Sequence, residues 1–277
     1  MTYAAAHPPA SLRGIVTGLA GYAEHATTPL VRRQGPTGGA TLILAWGGPL
    51  LVEGFGGAAR HGAFLAGLDD VWGTTSFTGH QAGVQVDLTP LGAARLLGRD
   101  GAEVAHLVTA LDLLDVPALA ALPEHLAATP TWEARFALVT TTLTGLLARS
   151  AFRPDPEVAH AWRRLAAARG RVPVAELATE TGWSRRHLLA RFHRQVGLPP
   201  TVAGRVLRFR HASTLLVPGR GPDRVPADVR IADVAAACGY ADHSHLVREF
   251  RDLTGWTPRE YLRAWFPDVQ DGVAAGS

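Results

Sequence analysis

Between Val174 and Gly197 the chain reads VAELATETGWSRRHLLARFHRQVG, and this stretch carries the clearest chemistry in the sequence. Leu188 and Phe192, four residues apart, would face inward on a helix, while Arg185, Arg186, Arg191 and Arg194 are left outside. Guanidinium groups held in this way can pair with phosphates or with the O6 and N7 edge of guanine. The elements needed to hold them are also written locally. Pro173 suits the start of a first helix, where a missing N–H costs nothing. Gly182 suits a tight turn, and Ser184 can cap a second helix by accepting a backbone N–H. Two helices joined at a glycine, the second one cationic, is the form of a helix-turn-helix whose second helix enters the DNA major groove. Alone, the stretch would equally suit a helical hairpin with a solvated basic face.

It is repeated. From Ile231 to Pro258 the chain reads IADVAAACGYADHSHLVREFRDLTGWTP. Gly182-Trp183 aligns with Gly239-Tyr240, His187-Leu188 with His245-Leu246, Phe192 with Phe250, Gly197 with Gly255 and Pro200 with Pro258. The offset grows from 57 to 58 residues between the two halves, so the second turn has one extra residue. Glycine, aromatic, leucine and proline positions rarely coincide together by chance, and two helix-turn-helix units are expected. Asp242 is placed to cap the second recognition helix, with Leu246, Phe250 and Leu253 as its buried stripe. Thr257-Pro258-Arg259-Glu260 has capping-box spacing, so a last helix should run toward Phe266.

The second unit, GYADHSHLVREFRDLTGWTPREY, resembles the signature of AraC-type (AraC/XylS) transcription regulators, and the first unit is similar to that family's first motif. The resemblance spans roughly Val158 to Phe266. It implies two subdomains joined by a long helix, for which Thr201–Leu216 is placed, with both recognition helices on one face of the duplex. In positions that usually face bases the first helix has Arg186, Leu189 and Ala190, and the second has His243, Ser244, His245 and Arg248. Arg185, His187 and Arg194 are expected at phosphates. Leu189 and Ala190 depart from the polar residues common there: they can touch a thymine methyl but donate no hydrogen bond. The link VPGRGPDRVPADVR, between Leu216 and Ile231, is longer than usual in the family and bears on the half-site spacing. Arg220, Arg224 and Arg230 in it are further candidates for phosphate contact.

Composition agrees with DNA binding by one half of the chain. At 277 residues there is room for two domains. All the basic side chains except histidine are arginine, which fits a coding bias and by itself proves nothing. Their distribution says more: residues 1–150 hold 8 Arg against 11 acids, and residues 151–277 hold 19 Arg against 13 acids. A basic half beside a mildly acidic one suits nucleic-acid binding by the former. Cys238 is the one cysteine, which excludes an intrachain disulfide and a multi-cysteine zinc site, and it reads as a buried structural residue. No long apolar run suggests a membrane span or a leader.

In the first half, residues 1 to about 12 read as loose. Arg13 to Leu88 holds many short strands: Thr41–Trp46, Leu50–Phe55, Gly62–Leu68, TTSFTG and Gly83–Leu88, with a hairpin turn at Gly47-Gly48-Pro49. After Pro90 the pattern reads as helices, one with Leu107, Leu111 and Leu114 on a face, another with Phe136, Val139, Leu143, Leu146 and Leu147. Trp46, Phe55, Phe64, Trp72 and Phe77 are candidates to line an effector pocket, or else simply core. Arg32-Arg33 would suit an anionic ligand or a solvated strand end. His61, His80 and Glu53 lack the spacing of a metal-binding cupin, and no nucleophile elbow, P-loop or H-E-x-x-H is present, so neither metal nor other cofactor nor catalysis is expected.

The expected architecture is α+β. Residues 1–152 form a β-rich, cupin-like effector-binding or dimerisation domain with dimerisation helices. Residues 153–268 form an all-α DNA-binding domain, with units at about 173–197 and 230–256, and 269–277 a disordered tail. The expected protein is a sequence-specific regulator in the bacterial cytoplasm, associated with the nucleoid when bound. Its partners would be double-stranded DNA with half-sites about 10 bp apart, RNA polymerase (implied by the family), a second copy of itself and a small-molecule effector, with no membrane. The alternatives are a ligand-independent regulator whose first domain only dimerises, and a DNA-repair enzyme fused to this domain.

Overall fold

The computed structural model describes residues 2–218 and 230–265. Residues 219–229 and those after Trp265 lie outside the described residues, and with them the expectations for Arg220, Arg224 and the tail. The first half is one antiparallel sheet of eight strands: β1 (Thr2–Ala6), β2 (Val16–Gln34), β3 (Ala40–Ala45), β4 (Leu50–Gly54), β5 (Gly57–His61), β6 (Phe64–Ala66), β7 (Gly73–Leu88) and β8 (Val108–Ala110). The order is β1-β2-β7-β3-β6-β8, with β4 paired to β7 and β5.

Two strands of 19 and 16 residues, β2 and β7, form the backbone of this sheet, where only short strands were expected. Their register shifts between Val16 and Gly18 and again between Ala26 and Leu30, irregularities that allow the long ribbon to bend. Gly47-Gly48-Pro49 makes no hairpin. β3 and β4 both pair with β7, at Ala40–Ala45 and Leu51–Glu53, and the Trp46 and Gly48 amides donate to Ala82 and His80 between them. They are one interrupted strand, kept on course because β7 continues past the break. The N-terminus is not loose either: β1 pairs Thr2–Ala6 with Ala23–Leu19, its backbone satisfied at the sheet edge whatever its small side chains bury.

Period-two alternation gives β3 two faces. Leu42 and Leu44 join Val84, Val86 and Leu88 in the main core, whereas Ile43 and Ala45 meet Val52 and Phe64 in a smaller one. Against the main core lie α1 (Pro90–Leu97), α2 (Pro117–Ala120), α3 (Leu122–Ala128) and α4 (Trp132–Arg149). Thr131 caps α4 by accepting the Ala134 amide at 3.2 Å, and Phe136, Val139, Leu143 and Leu147 are buried as the helical period requires. The helix expected around Leu107 and Leu114 is absent. Val108–Ala110 pairs with Phe64–Ala66, short 3-10 turns flank it, and Leu107 is exposed. A few leucines at mixed spacing do not separate helix from strand, and here pairing with β6 prevails.

The second half is helical: α5 (Pro156–Ala167), α6 (Val174–Thr181), α7 (Arg185–Val196), α8 (Pro200–Leu216), α9 (Ile231–Ala237), α10 (His243–Thr254) and α11 (Pro258–Trp265). One continuous core runs through them, and Leu68 and Leu91 of the first half belong to it. Arg33, at the end of β2, lies 4.1 Å from the Trp72 ring and 4.4 Å from the Trp256 ring. Its Nη1 donates to the Thr254 carbonyl at 3.2 Å, so a cation sits at the C-terminal end of α10. Arg32 is engaged as well, in a two-pronged pair with Glu24 at 2.6 Å. Neither arginine is left for an anionic ligand. A second arginine sandwich lies within the first half: Arg135 sits 4.7 Å from Trp46 and 4.6 Å from Trp132, and fastens α4 to the sheet.

The Arg33 sandwich crosses from one half to the other, and its loss should be felt by both. Arg33→Ala is expected to lower the unfolding free energy by about 1–3 kcal/mol, two cation–π contacts being worth roughly that. An unchanged urea midpoint would contradict this assignment.

Candidate nucleic-acid interface

Both recognition helices are built by the same local devices. In the first unit α6 ends at Gly182, whose φ of 70° is left-handed, and Ser184 opens α7 by accepting the His187 amide at 3.3 Å. In the second, Gly239 turns with a φ of 74° and Asp242 opens α10 by accepting the His245 amide at 2.7 Å. The extra residue of the second turn lies between Gly239 and Asp242. Leu188 and Phe192 in α7, and Leu246, Phe250 and Leu253 in α10, are buried. The joining helix α8 packs its Phe209 edge-on against Phe250 at 4.9 Å and buries Ala203, Val206 and Ala212 on the same core. The Thr257–Glu260 capping box is present: the Thr257 amide donates to Glu260 at 2.7 Å and the Glu260 amide to Thr257 at 3.2 Å.

Outward, the two helices offer different chemistry. On α7, Arg185, Arg186, Leu189, Ala190 and His193 surround a shallow open depression completed by Pro199. On α10, His243, Ser244 and Arg248 are exposed. Among the described residues no carboxylate pairs with Arg185, Arg186 or Arg248, so their charge is available to an external anion.

Other cations of the same region are already paired. Arg191 makes a two-pronged bond to Asp155, which holds α7 to the start of α5. Arg164 and His160 of α5 both donate to Glu180 of α6. That environment holds the Glu180 carboxyl down from its usual 4.5 to about 2, first by the Arg164 hydrogen bond and then by His160. The pair is therefore intact above about pH 4.5 and is lost only as pH falls through about 2.

Two residues expected at DNA are placed elsewhere. Arg194 donates its Nε to Asp100 of the first half at 2.5 Å, and the Gln195–Val196 backbone seats against Gly101, where a Cβ would come 2.5 Å from the Gln195 carbonyl. The end of α7 is thus an attachment point to the sheet domain, and Arg194 serves that contact. His245 turns inward: its Nδ1 accepts the Ala241 amide at 3.3 Å, its ring meets the Tyr240 edge at 5.2 Å, and Nε2 faces Glu249 at 3.7 Å. Buried Glu249 also takes Arg208 of α8 at 3.3 Å, so His245 belongs to the join between α8 and α10. His187 stays exposed but packs on Trp183 at 4.5 Å. His193 and Pro199 were not singled out from sequence. His193 was legible in principle, since it continues the Arg186–Leu189–Ala190 face by one helical step.

The aromatic residues considered for an effector pocket are dispersed. Trp46 stacks on Arg135 and Trp132, and Phe64 sits in the small core with Phe55 at its edge. Phe77 is buried beneath Arg32, and Trp72 covers Arg33 at the join of the two halves. Each fills packing in a strand or in the turn beside one, and the five do not converge. Cys238 is buried, and burial pushes its thiol pKa up. Among the described residues one trio of possible metal ligands converges: His106 Nδ1 is 3.0 Å from Asp69 Oδ1 and 3.9 Å from Asp70. That Asp69 oxygen already accepts the Asp70 and Val71 amides, which makes the trio a hydrogen-bonded loop clasp. Of the earlier metal candidates, Glu53 bonds Thr74 and His61 packs on Phe64.

Residues 177–264 match a family described as a helix-turn-helix domain, of the AraC type. ToxT from Vibrio cholerae is similar in structure, with 13% identity, a TM-score of 0.50 and coverage of 89% of this chain and 97% of that one. Wild-type ToxT of strain SCE256 with an unsaturated fatty acid bound gives 11% identity and a TM-score of 0.53, over 90% and 95% of the two chains. These likenesses show the shared two-domain fold. The DNA-binding domain of AdpA in complex with a target DNA is 25% identical over 41% of this chain and 99% of that one, with a TM-score of 0.35. No curated relative matches the chain.

The two classes of exposed cation should separate in binding. Against a selected duplex, Arg186→Ala is expected to cost about 1–3 kcal/mol and to relax preference at one base step. Arg185→Ala should weaken all duplexes alike and reduce the salt slope by roughly one unit. Equal effects of the two on sequence preference would refute the division.

Proposed function

We propose, for a chain that carries an AraC-type helix-turn-helix domain and is a DNA-binding transcription regulator, that α7 and α10 read two half-sites about one helical turn apart. The observation that supports this most directly is the pairing of two capped recognition helices on one intervening helix, with Arg186 and Arg248 exposed. Arg186, Leu189, Ala190, His243, Ser244 and Arg248 take the base-facing roles, and Arg185 and His187 lie along phosphates. The sheet domain controls them through a small-molecule effector or through dimerisation. A homodimer doubles the site, and the bound geometry sets recruitment of RNA polymerase in the bacterial cytoplasm, at the nucleoid.

Small-molecule control draws support from the fatty-acid-bound ToxT structure, which shares the fold. A second reading, in which the first domain only dimerises, is favoured by the dispersal of its aromatic side chains into cores. The DNA-repair reading loses its chemical basis, because a thiol held protonated by burial is a poor nucleophile and a poor ligand.

Selection of duplexes from a random pool with the whole protein, at a stated salt concentration, tests the proposal. Two short motifs about one turn apart are expected, the second lost with Arg248→Ala. Salt-sensitive binding to every duplex alike would sink it. A stabilising ligand in a thermal-shift screen would separate the effector reading from the dimerising one.

A further inference from the structure

We infer that α7 selects a pyrimidine carrying a C5 methyl group, thymine in ordinary DNA, and does so through an apolar floor instead of hydrogen bonds. The inference rests on the reading that α7 enters a major groove. Leu189, Ala190 and Pro199 form the floor of the depression on the outer face of α7, and the cationic Arg185 and Arg186 stand with His193 around it. Leu188 and Phe192 point into the core, and Arg191 and Arg194 on a further side are paired with Asp155 and Asp100.

The chemistry of the base edges does the rest. In the major groove the A·T pair alone offers a methyl group: cytosine carries only a hydrogen at C5, and guanine and adenine present N7 with O6 or N6, which are acceptors or amino donors. An apolar floor cannot return a hydrogen bond to those groups, and covering them strips their water without replacement. A methyl group has no such demand, and its burial on leucine and alanine is favourable. Charge complementarity holds the occupant in place: Arg185 beside the floor attracts a flanking phosphate, while Arg186 reaches the edge of a neighbouring base. The second unit is unlike this. His243, Ser244 and Arg248 on α10 are polar, so that half-site is read by hydrogen bonds.

The two helices therefore respond differently to a change that removes a methyl group and nothing else. In the duplex selected by the whole protein, thymine is replaced by deoxyuridine in one half-site at a time, and the dissociation constants are compared. In the α7 half-site a loss of about fourfold per critical thymine is expected, the value of roughly one buried methyl group. In the α10 half-site no change is expected. Leu189→Ser should bind the thymine and deoxyuridine duplexes equally while keeping its sensitivity to Arg248→Ala, which shows that the variant is folded. Equal binding of both duplexes by the unaltered protein would overturn the inference and leave the two-half-site reading standing. Failure of the whole protein to prefer any duplex would overturn both.

Discussion

The join between α8 and the two recognition helices is the constraint on which the rest depends. A helix of 17 residues spans about 25 Å and cannot shorten or bend without breaking its own ladder. One face of α8 supplies Ala203, Val206 and Phe209 to a single core that also takes Phe192 of α7 and Phe250 of α10. Helices α7 and α10 are thus placed by one shared core. Around the second of them the join is also ionic: buried Glu249 holds Arg208 and faces His245, a pair of contacts that resists rotation as apolar packing does not. Close approach of the chain at Gly170 and Gly204, where an added Cβ would meet backbone, brings α8 against the turn after α5.

Among the described residues, the contacts that fasten the sheet domain to this body include one at the end of each recognition helix. Arg194 and the Gln195–Val196 backbone meet Asp100 and Gly101 at the end of α7, and Arg33 lies between Trp72 and Trp256 at the end of α10. Both contacts fall at C-terminal ends of the recognition helices, away from the capped N-terminal ends that carry Arg185, Arg186, His243 and Ser244. In this arrangement the contacts of the sheet domain and the exposed side chains of the recognition helices are separate groups.

Much of the helical half was legible because its determinants are local. Glycines at 182 and 239, caps at Ser184 and Asp242 and the Thr257–Glu260 box are each fixed by neighbours within a few residues, and each is found as its chemistry dictates. The sheet was less legible because its determinants are distant. Nothing near Gly47 states that β7 continues past the break, and nothing near Leu107 states that β6 waits for a partner. The site shows the same division. That Arg186 and Arg248 are exposed could be read from helical period alone, whereas the partners of Arg194 and His245 could not, because Asp100 and Glu249 meet them through the fold. The five aromatic residues of the strands carry no local mark that separates a pocket wall from core filling.

The most direct test of a single rigid reading body is to change the phase between the two half-sites of the selected duplex. Insertion of about 5 bp turns one half-site to the opposite face of the helix, and insertion of about 10 bp restores the face but not the distance. The account predicts that both insertions abolish the contribution of one half-site, with a single narrow optimum of spacing. Affinity that is indifferent to spacing would contradict it, since two units free to move independently would follow their half-sites wherever these were placed.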